Sequence, residues 1–151
     1  MPPSVAFFED YEVGQTFETG SILVTADAIE RFAEEYDPQI FHRAETAEGT
    51  VFGALIASGW HTAALTMGLM VNGGVFPETG AVGLGTDTLR WLRPVVPGDS
   101  LHVVVRIESV KGLPGKKSGQ IVMRIWTRNQ HGEDVMTQTA SALVKRRAPS
   151  P

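Results

Sequence analysis

Apolar residues return at Ile29, Phe32, Ala33 and Tyr36, the three-and-four spacing of one helical face. Thr25 stands where an N-cap belongs, and Asp27 lies in the first turn, where a carboxylate meets the positive end of the helix dipole. Asp37-Pro38 stops this helix, because the residue before a proline avoids the α region. Residues 43–49 (RAETAEG) fit one further helical turn. A different pattern follows. Residues 51–74, VFGALIASGWHTAALTMGLMVNGG, are apolar on nearly every side and almost free of charge. A helix of that kind is buried rather than laid on a surface. With Ser58 as cap and Asn72-Gly73-Gly74 as stop, the pattern predicts a helix over about residues 57–71.

Elsewhere the period is two. Residues 15–24 mix Phe17, Ile22 and Val24 with threonines, which suits a strand after an extended, Pro- and Gly-punctuated lead of 14 residues. Strands are predicted over 82–91, 101–110 and 135–144, with another between the last two. Leu101, Val103, Val105 and Ile107 share one face; Ile121, Met123, Ile125 and Thr127 share another. Turn chemistry separates them: Pro97-Gly98-Asp99, GLPGKKSG (112–119) and NQHGED (129–134). Residues 68–80 read as a flexible segment able to line a pocket, and the tail 145–151 as polar and frayed.

One strand, a short helix, a buried helix and four successive strands make an α+β chain with an antiparallel sheet. A helix apolar on nearly every face calls for a curved sheet wrapped around it, which is the hotdog arrangement. An ordinary α+β sandwich fits the same string. The expectation is a single domain over 1–151.

Composition narrows the function classes. A chain of 151 residues with 42% hydrophobic and 20% charged residues can build one sizeable core. A net charge of −4 argues against a nucleic-acid partner. The absence of cysteine removes disulfides, thiolate nucleophiles and thiolate zinc sites. No apolar run approaches the roughly 18 residues of a membrane span, and residues 1–14 lack the basic start of a secretory signal. The expectation is a cytoplasmic protein without a membrane partner. The 4 histidines make no metal-ligand spacing, so no metal is expected. Lys116, Lys117, Lys145, Arg146 and Arg147 read as surface solvation rather than phosphate ligands. Trp60, Trp91 and Trp126 read as core or interface residues, and His61 as a packing histidine.

Two short stretches carry chemistry. In YDPQIFH (36–42), Asp37 and His42 stand on one loop stiffened by Pro38, and both can reach a single water. Imidazole exchanges protons near neutrality, so the chemistry implied is addition or removal of water. A helix stop beside a surface histidine would leave the same letters. In SGWH (58–61) the predicted helix start leaves N–H groups unpaired at Gly59, where a ligand approaches the backbone closely. An enolate oxygen fits there; so does plain packing under a Ser58 cap.

Taken with the strand–turn–strand LRWLRPVVPGDSLHVVVRI (89–107), these stretches resemble the MaoC-like dehydratases, hotdog proteins that include (R)-specific enoyl-CoA hydratases. The likeness runs over about residues 8–144. It implies an acyl-thioester hydratase/dehydratase in which Asp37 and His42 hold a water that adds to Cβ of a trans-2-enoyl thioester, with a proton delivered to Cα on the same face. Gly59 matches the glycine whose N–H receives the thioester oxygen, and Ser58 stands beside it in the substrate-binding set. CoA or an acyl carrier protein would carry the substrate, with no resident cofactor. The resemblance also implies a homodimer, or a dimer of dimers, with the site near the subunit interface. The loop departs from the family pattern at Gln39, where the family has Asn, and at Pro38, which follows the Asp directly. Two other readings share the fold: a thioesterase, whose carboxylate would sit on the central helix, and a non-catalytic acyl-thioester binder.

Overall fold

The structure is a computed structural model and describes residues 4–148. A 3-10 turn, Phe8–Asp10, opens the described chain, followed by β1 (Thr16–Glu18) and β2 (Ile22–Leu23). Three helices come next: α1 (Ala26–Tyr36), α2 (Ala44–Ala47) and α3 (Gly59–Asn72), with a second 3-10 turn, Ile40–His42, between the first two. Four long strands finish the fold: β3 (Ala81–Trp91), β4 (Ser100–Gly112), β5 (Ser118–Arg128) and β6 (Asp134–Lys145).

Helix α1 begins as its sequence dictates. The Thr25 hydroxyl accepts from the Ala28 N–H at 3.1 Å, and Ile29 and Ala33 bury the inner face. Helix α3 starts at Gly59, two residues after the predicted start, and Ser58 caps it as its sequence implies; its Oγ accepts from the Trp60 N–H at 3.3 Å.

The sheet is antiparallel, in the order β1–β4–β5–β6–β3, with β2 beside the start of β4. Strand β3 therefore does not pair with its sequence neighbour β4 but crosses to β6, Trp91 opposite Met136 and Ala81 opposite Val144. The predicted faces hold: Leu101, Val103, Val105 and Ile107, with Ile121, Met123, Ile125 and Thr127, form the buried side on which α3 lies. The one hydroxyl in that row is satisfied, Thr127 bonding Thr66 of α3 at 2.7 Å. This is the hotdog arrangement.

Several expectations change. The single strand over 15–24 is two short ones, because Thr19 turns in to β4 and its hydroxyl accepts the Val103 N–H at 2.9 Å. The lead segment is partly core, with Phe8 and Tyr11 buried and the Tyr11 hydroxyl donating to the Val75 carbonyl at 2.6 Å. That bond and the full burial of Val75 also fix the middle of residues 68–80. Arg146 and Arg147 do not merely solvate the surface: they pair with Glu9 and Asp10 at 3.8 and 3.1 Å and tie the end of β6 to the first turn. The last residues of the tail, 149–151, lie outside the described residues.

The largest change concerns α3. It is not covered on every side: Trp60, Met67 and Val71 are 59%, 54% and 55% exposed. A sheet embraces only one side of a helix, so an all-apolar helix retains an open stripe in a single chain. Among the described residues no strand pairs with the outer edge of β3, and Val82 and Leu84 on that strand are also exposed. No described helix is long and apolar enough to cross a membrane.

Candidate functional site

Pro38 forces the chain out of α1 at Asp37, whose backbone leaves the α region (φ −154°, ψ 70°). The Gln39 N–H then returns to the Asp37 carbonyl at 2.8 Å, and the 3-10 turn Ile40–His42 swings His42 back toward the carboxylate. The turn is pinned from outside, the Ile56 N–H donating to the Phe41 carbonyl at 3.1 Å. The result is an imidazole Nε2 standing 3.2 Å from Asp37 Oδ2, both side chains well buried.

The remaining partners fix the protons. His42 Nδ1 lies 2.7 Å from the Ile56 carbonyl, an oxygen that can only accept, so Nδ1 carries hydrogen. Nε2 is then the nitrogen free to exchange a proton on the Asp37 side. Asp37 Oδ2 also accepts from the Ser58 hydroxyl at 2.7 Å, and Oδ1 from the Gln39 side-chain amide at 2.7 Å. Burial alone would raise the Asp37 pKa. Hydrogen bonds from Ser58 and Gln39, together with the His42 charge, outweigh it and hold the carboxyl below its usual range. Asp37 is therefore an anion at neutral pH.

This shift has a consequence for stability. A carboxyl whose folded pKa is lowered contributes stability that is fully present above its unfolded pKa and lost as pH falls through the folded one. Asp37→Asn is thus expected to cost most near neutrality, with the gap to wild type closing below about pH 4, where the unfolded Asp protonates. Urea midpoints of both proteins between pH 3 and 7 measure it; a gap constant over that range would contradict the assignment.

Asp37, Gln39, His42 and Gly59 line one cleft of about 510 Å³, with Phe41, Phe52, Trp60 and Trp91 among its walls. Gly59 is the first residue of α3, and its N–H meets no acceptor among the described residues. A Cβ at Gly59 would lie 2.5 Å from a Trp91 ring atom, so the glycine is demanded by the close approach of that ring. The Trp91 Nε1–H donates to the Gly59 carbonyl at 2.8 Å, and Trp60 meets Trp91 edge-on at 5.1 Å. Both tryptophans, expected in the core or an interface, are wall residues here.

Ser58 is displaced from its expected role. It is fully buried, and its hydroxyl is used by Asp37 and the Trp60 N–H, so it touches the carboxylate rather than a substrate. His61, one turn into α3, is buried with its ring stacked on Phe32 at 4.8 Å; burial and then the His42 charge push its pKa down. No group of three His, Asp or Glu side chains converges as metal ligands among the described residues. Beyond Trp60, which borders both spaces, a larger cavity of about 860 Å³ runs beside α3, walled by Met67, Met70, Phe76 and Leu89. Of residues 68–80, expected to line a pocket, eight border this cavity, Phe76, Pro77 and Glu78 among them.

The fold recurs in other proteins. A family model described as "MaoC like domain" matches residues 9–128. A crystal structure of the MaoC-like dehydratase from Rhodospirillum rubrum superposes with a TM-score of 0.88 at 41% identity, covering 95% of this chain and 99% of that one. The (R)-hydratase PhaJ1 of Pseudomonas aeruginosa gives 0.76 at 29% identity, covering 93% and 86%. Bacillus subtilis YdeM, itself uncharacterized, is 32% identical over 139 residues, 91% of this chain and 98% of its own length. A family match over most of the chain and this full-length structural likeness agree, and the chain belongs to the MaoC-like dehydratase family.

Proposed function

We propose that the protein hydrates trans-2-enoyl thioesters, or dehydrates the corresponding 3-hydroxyacyl thioesters, with Asp37 and His42 as the water-handling pair. The observation that carries this reading is the 3.2 Å contact between an ionised carboxylate and an imidazole whose other nitrogen is already committed to Ile56. A water held between them gives its oxygen to Cβ. One water proton passes to the pair, and Cα receives a proton from it, so that H and OH are added across the double bond. Negative charge develops on the thioester oxygen in between, and the unpaired Gly59 N–H at the start of α3 is the donor for it. Ser58 and Gln39 hold the carboxylate in place. The acyl chain, leaving Gly59, runs past Trp60 into the cavity beside α3. CoA or an acyl carrier protein carries the substrate, and no resident cofactor takes part.

A thioesterase is the competing chemistry on this fold. Helix α3 offers it no carboxylate, since GWHTAALTMGLMVN contains neither Asp nor Glu. Incubation with crotonyl-CoA decides between the two: loss of the conjugated absorbance without release of free thiol is expected. Free CoA appearing at the rate of substrate loss would sink the hydratase reading, and turnover of neither kind would leave the non-catalytic binder.

We also propose a homodimer built on β3. The open edge of an 11-residue strand and the exposed apolar stripe of α3 lie on the side that a second copy would cover. Light scattering is expected to give a mass near twice the 16.3 kDa of one chain. Leu84→Lys combined with Met67→Lys should return it to one; a wild type at monomer mass at micromolar concentration rules this out.

A further inference from the structure

Arg93 occupies a position that the hydration chemistry leaves unused. It lies just past β3 and lines the cleft that holds Asp37, His42 and Gly59; among the described residues it is the one Lys or Arg that does so. Its place is built. Leu92 ahead of it donates to the Val135 carbonyl at 2.8 Å, and Val95 behind it accepts the Ala57 N–H at 2.8 Å, two residues before Gly59. The loop carrying Arg93 is thereby fastened to the start of α3. Its guanidinium is held by Glu133, Nη1 to Oε2 at 3.1 Å. Glu133 is itself braced, since Oε1 accepts from the buried Asn129 amide at 3.0 Å and the Glu133 N–H returns to Asn129 Oδ1 at 3.1 Å. The β5–β6 turn thus orients a cation at the rim of the cleft. An exposed pair of this kind is worth little in water, so the guanidinium exchanges or shares its carboxylate with a better anion at small cost. A guanidinium presents five donors, and one contact to Glu133 leaves most of them open.

We infer that Arg93 binds an anionic oxygen group of the thioester ligand, either a phosphate of its carrier or a carboxylate on its acyl part. The inference rests on the thioester reading of the cleft but not on turnover, so it is measured with saturated thioesters, which cannot be hydrated. Three probes separate the sources by calorimetric titration of wild type and Arg93→Gln. Butyryl-CoA carries phosphates only, S-glutaryl-N-acetylcysteamine a carboxylate only, and S-butyryl-N-acetylcysteamine neither.

Loss of a charged hydrogen-bond donor should weaken the anionic ligand by roughly tenfold or more. Weakening of butyryl-CoA alone identifies the phosphate; weakening of the glutaryl probe alone identifies the carboxylate. In both cases the probe with neither group is unmoved, and Arg93→Lys recovers part of the affinity. Equal affinities for wild type and Arg93→Gln across all three probes overturn the inference, as does a wild type that binds none of them. Hydration of crotonyl-CoA by wild type is scored separately. Turnover with an indifferent Arg93→Gln removes the anion site and keeps the hydratase; Arg93-dependent binding without turnover does the reverse.

Discussion

Asp37→Asn is expected to lower kcat for crotonyl-CoA hydration by two to four orders of magnitude while the protein stays folded. A positioned acid–base group contributes about 10²–10⁴ in rate. The asparagine has the same shape, and its neighbours can accommodate it. Its amide oxygen can still accept from Gln39, and the Ser58 hydroxyl, which donates to Oδ2 at 2.7 Å, can turn to accept from the new amide. What is lost is the anion that receives a proton from water. His42→Ala is expected to fall as far, though less cleanly, because it also strips the Ile56 carbonyl of its 2.7 Å donor, at about 1–3 kcal/mol of stability. The two residues act on one water, so the double variant should be little slower than either single. Circular dichroism establishes folding, and loss of enoyl absorbance gives the rate. Wild-type turnover in folded Asp37→Asn would falsify the assignment, and multiplying losses in the double variant would separate the residues into independent roles.

Which of these features were legible in the sequence depended on how far apart their parts lie along the chain. Asp37 and His42 are five residues apart, and a proline with one short turn fixes their meeting, so local rules reach it. The faces of β4 and β5 are equally local, since period-two alternation needs no knowledge of the partner strand. Ser58 on Asp37, 21 residues away, and Trp91 under Gly59, 32 residues away, depend on how the loops cross over the end of α3. No periodicity encodes that. The same limit explains β3. Its alternation marks a strand, but pairing with β6 rather than β4 is a property of the whole sheet. Arg93 was silent for a related reason: LRP after a strand is ordinary turn chemistry, and only the 2.8 Å bond between Val95 and Ala57 brings it to the cleft. Helix α3 misled in the opposite way. Its composition is apolar throughout, yet composition does not say which sides of the helix the sheet covers.

Gly59→Ala is expected to damage activity and stability together, and the source of the damage is Trp91. Alanine is the better helix former by roughly 1 kcal/mol, so at an open helix start the exchange would be neutral or stabilising. Here the new methyl would meet three Trp91 ring atoms at 2.5–2.8 Å. The ring is not free to yield, being tied by its Nε1–H to the Gly59 carbonyl and packed edge-on against Trp60. Overpacking of this kind costs about 1–3 kcal/mol, and the Gly59 N–H moves with the backbone. Losing one well-aimed donor to a developing oxyanion costs about 10²–10³ in kcat. The expected result is a hydration rate down by at least about a hundredfold, with a measurable fall in the urea midpoint. Trp91→Leu in the same chain removes the obstructing ring. Gly59→Ala with Trp91→Leu should then be more stable than Gly59→Ala alone and as active as Trp91→Leu alone, a strong coupling between two residues in contact. A double variant no better than Gly59→Ala would place the need for glycine on the substrate side of the backbone, and Trp91 would no longer account for it.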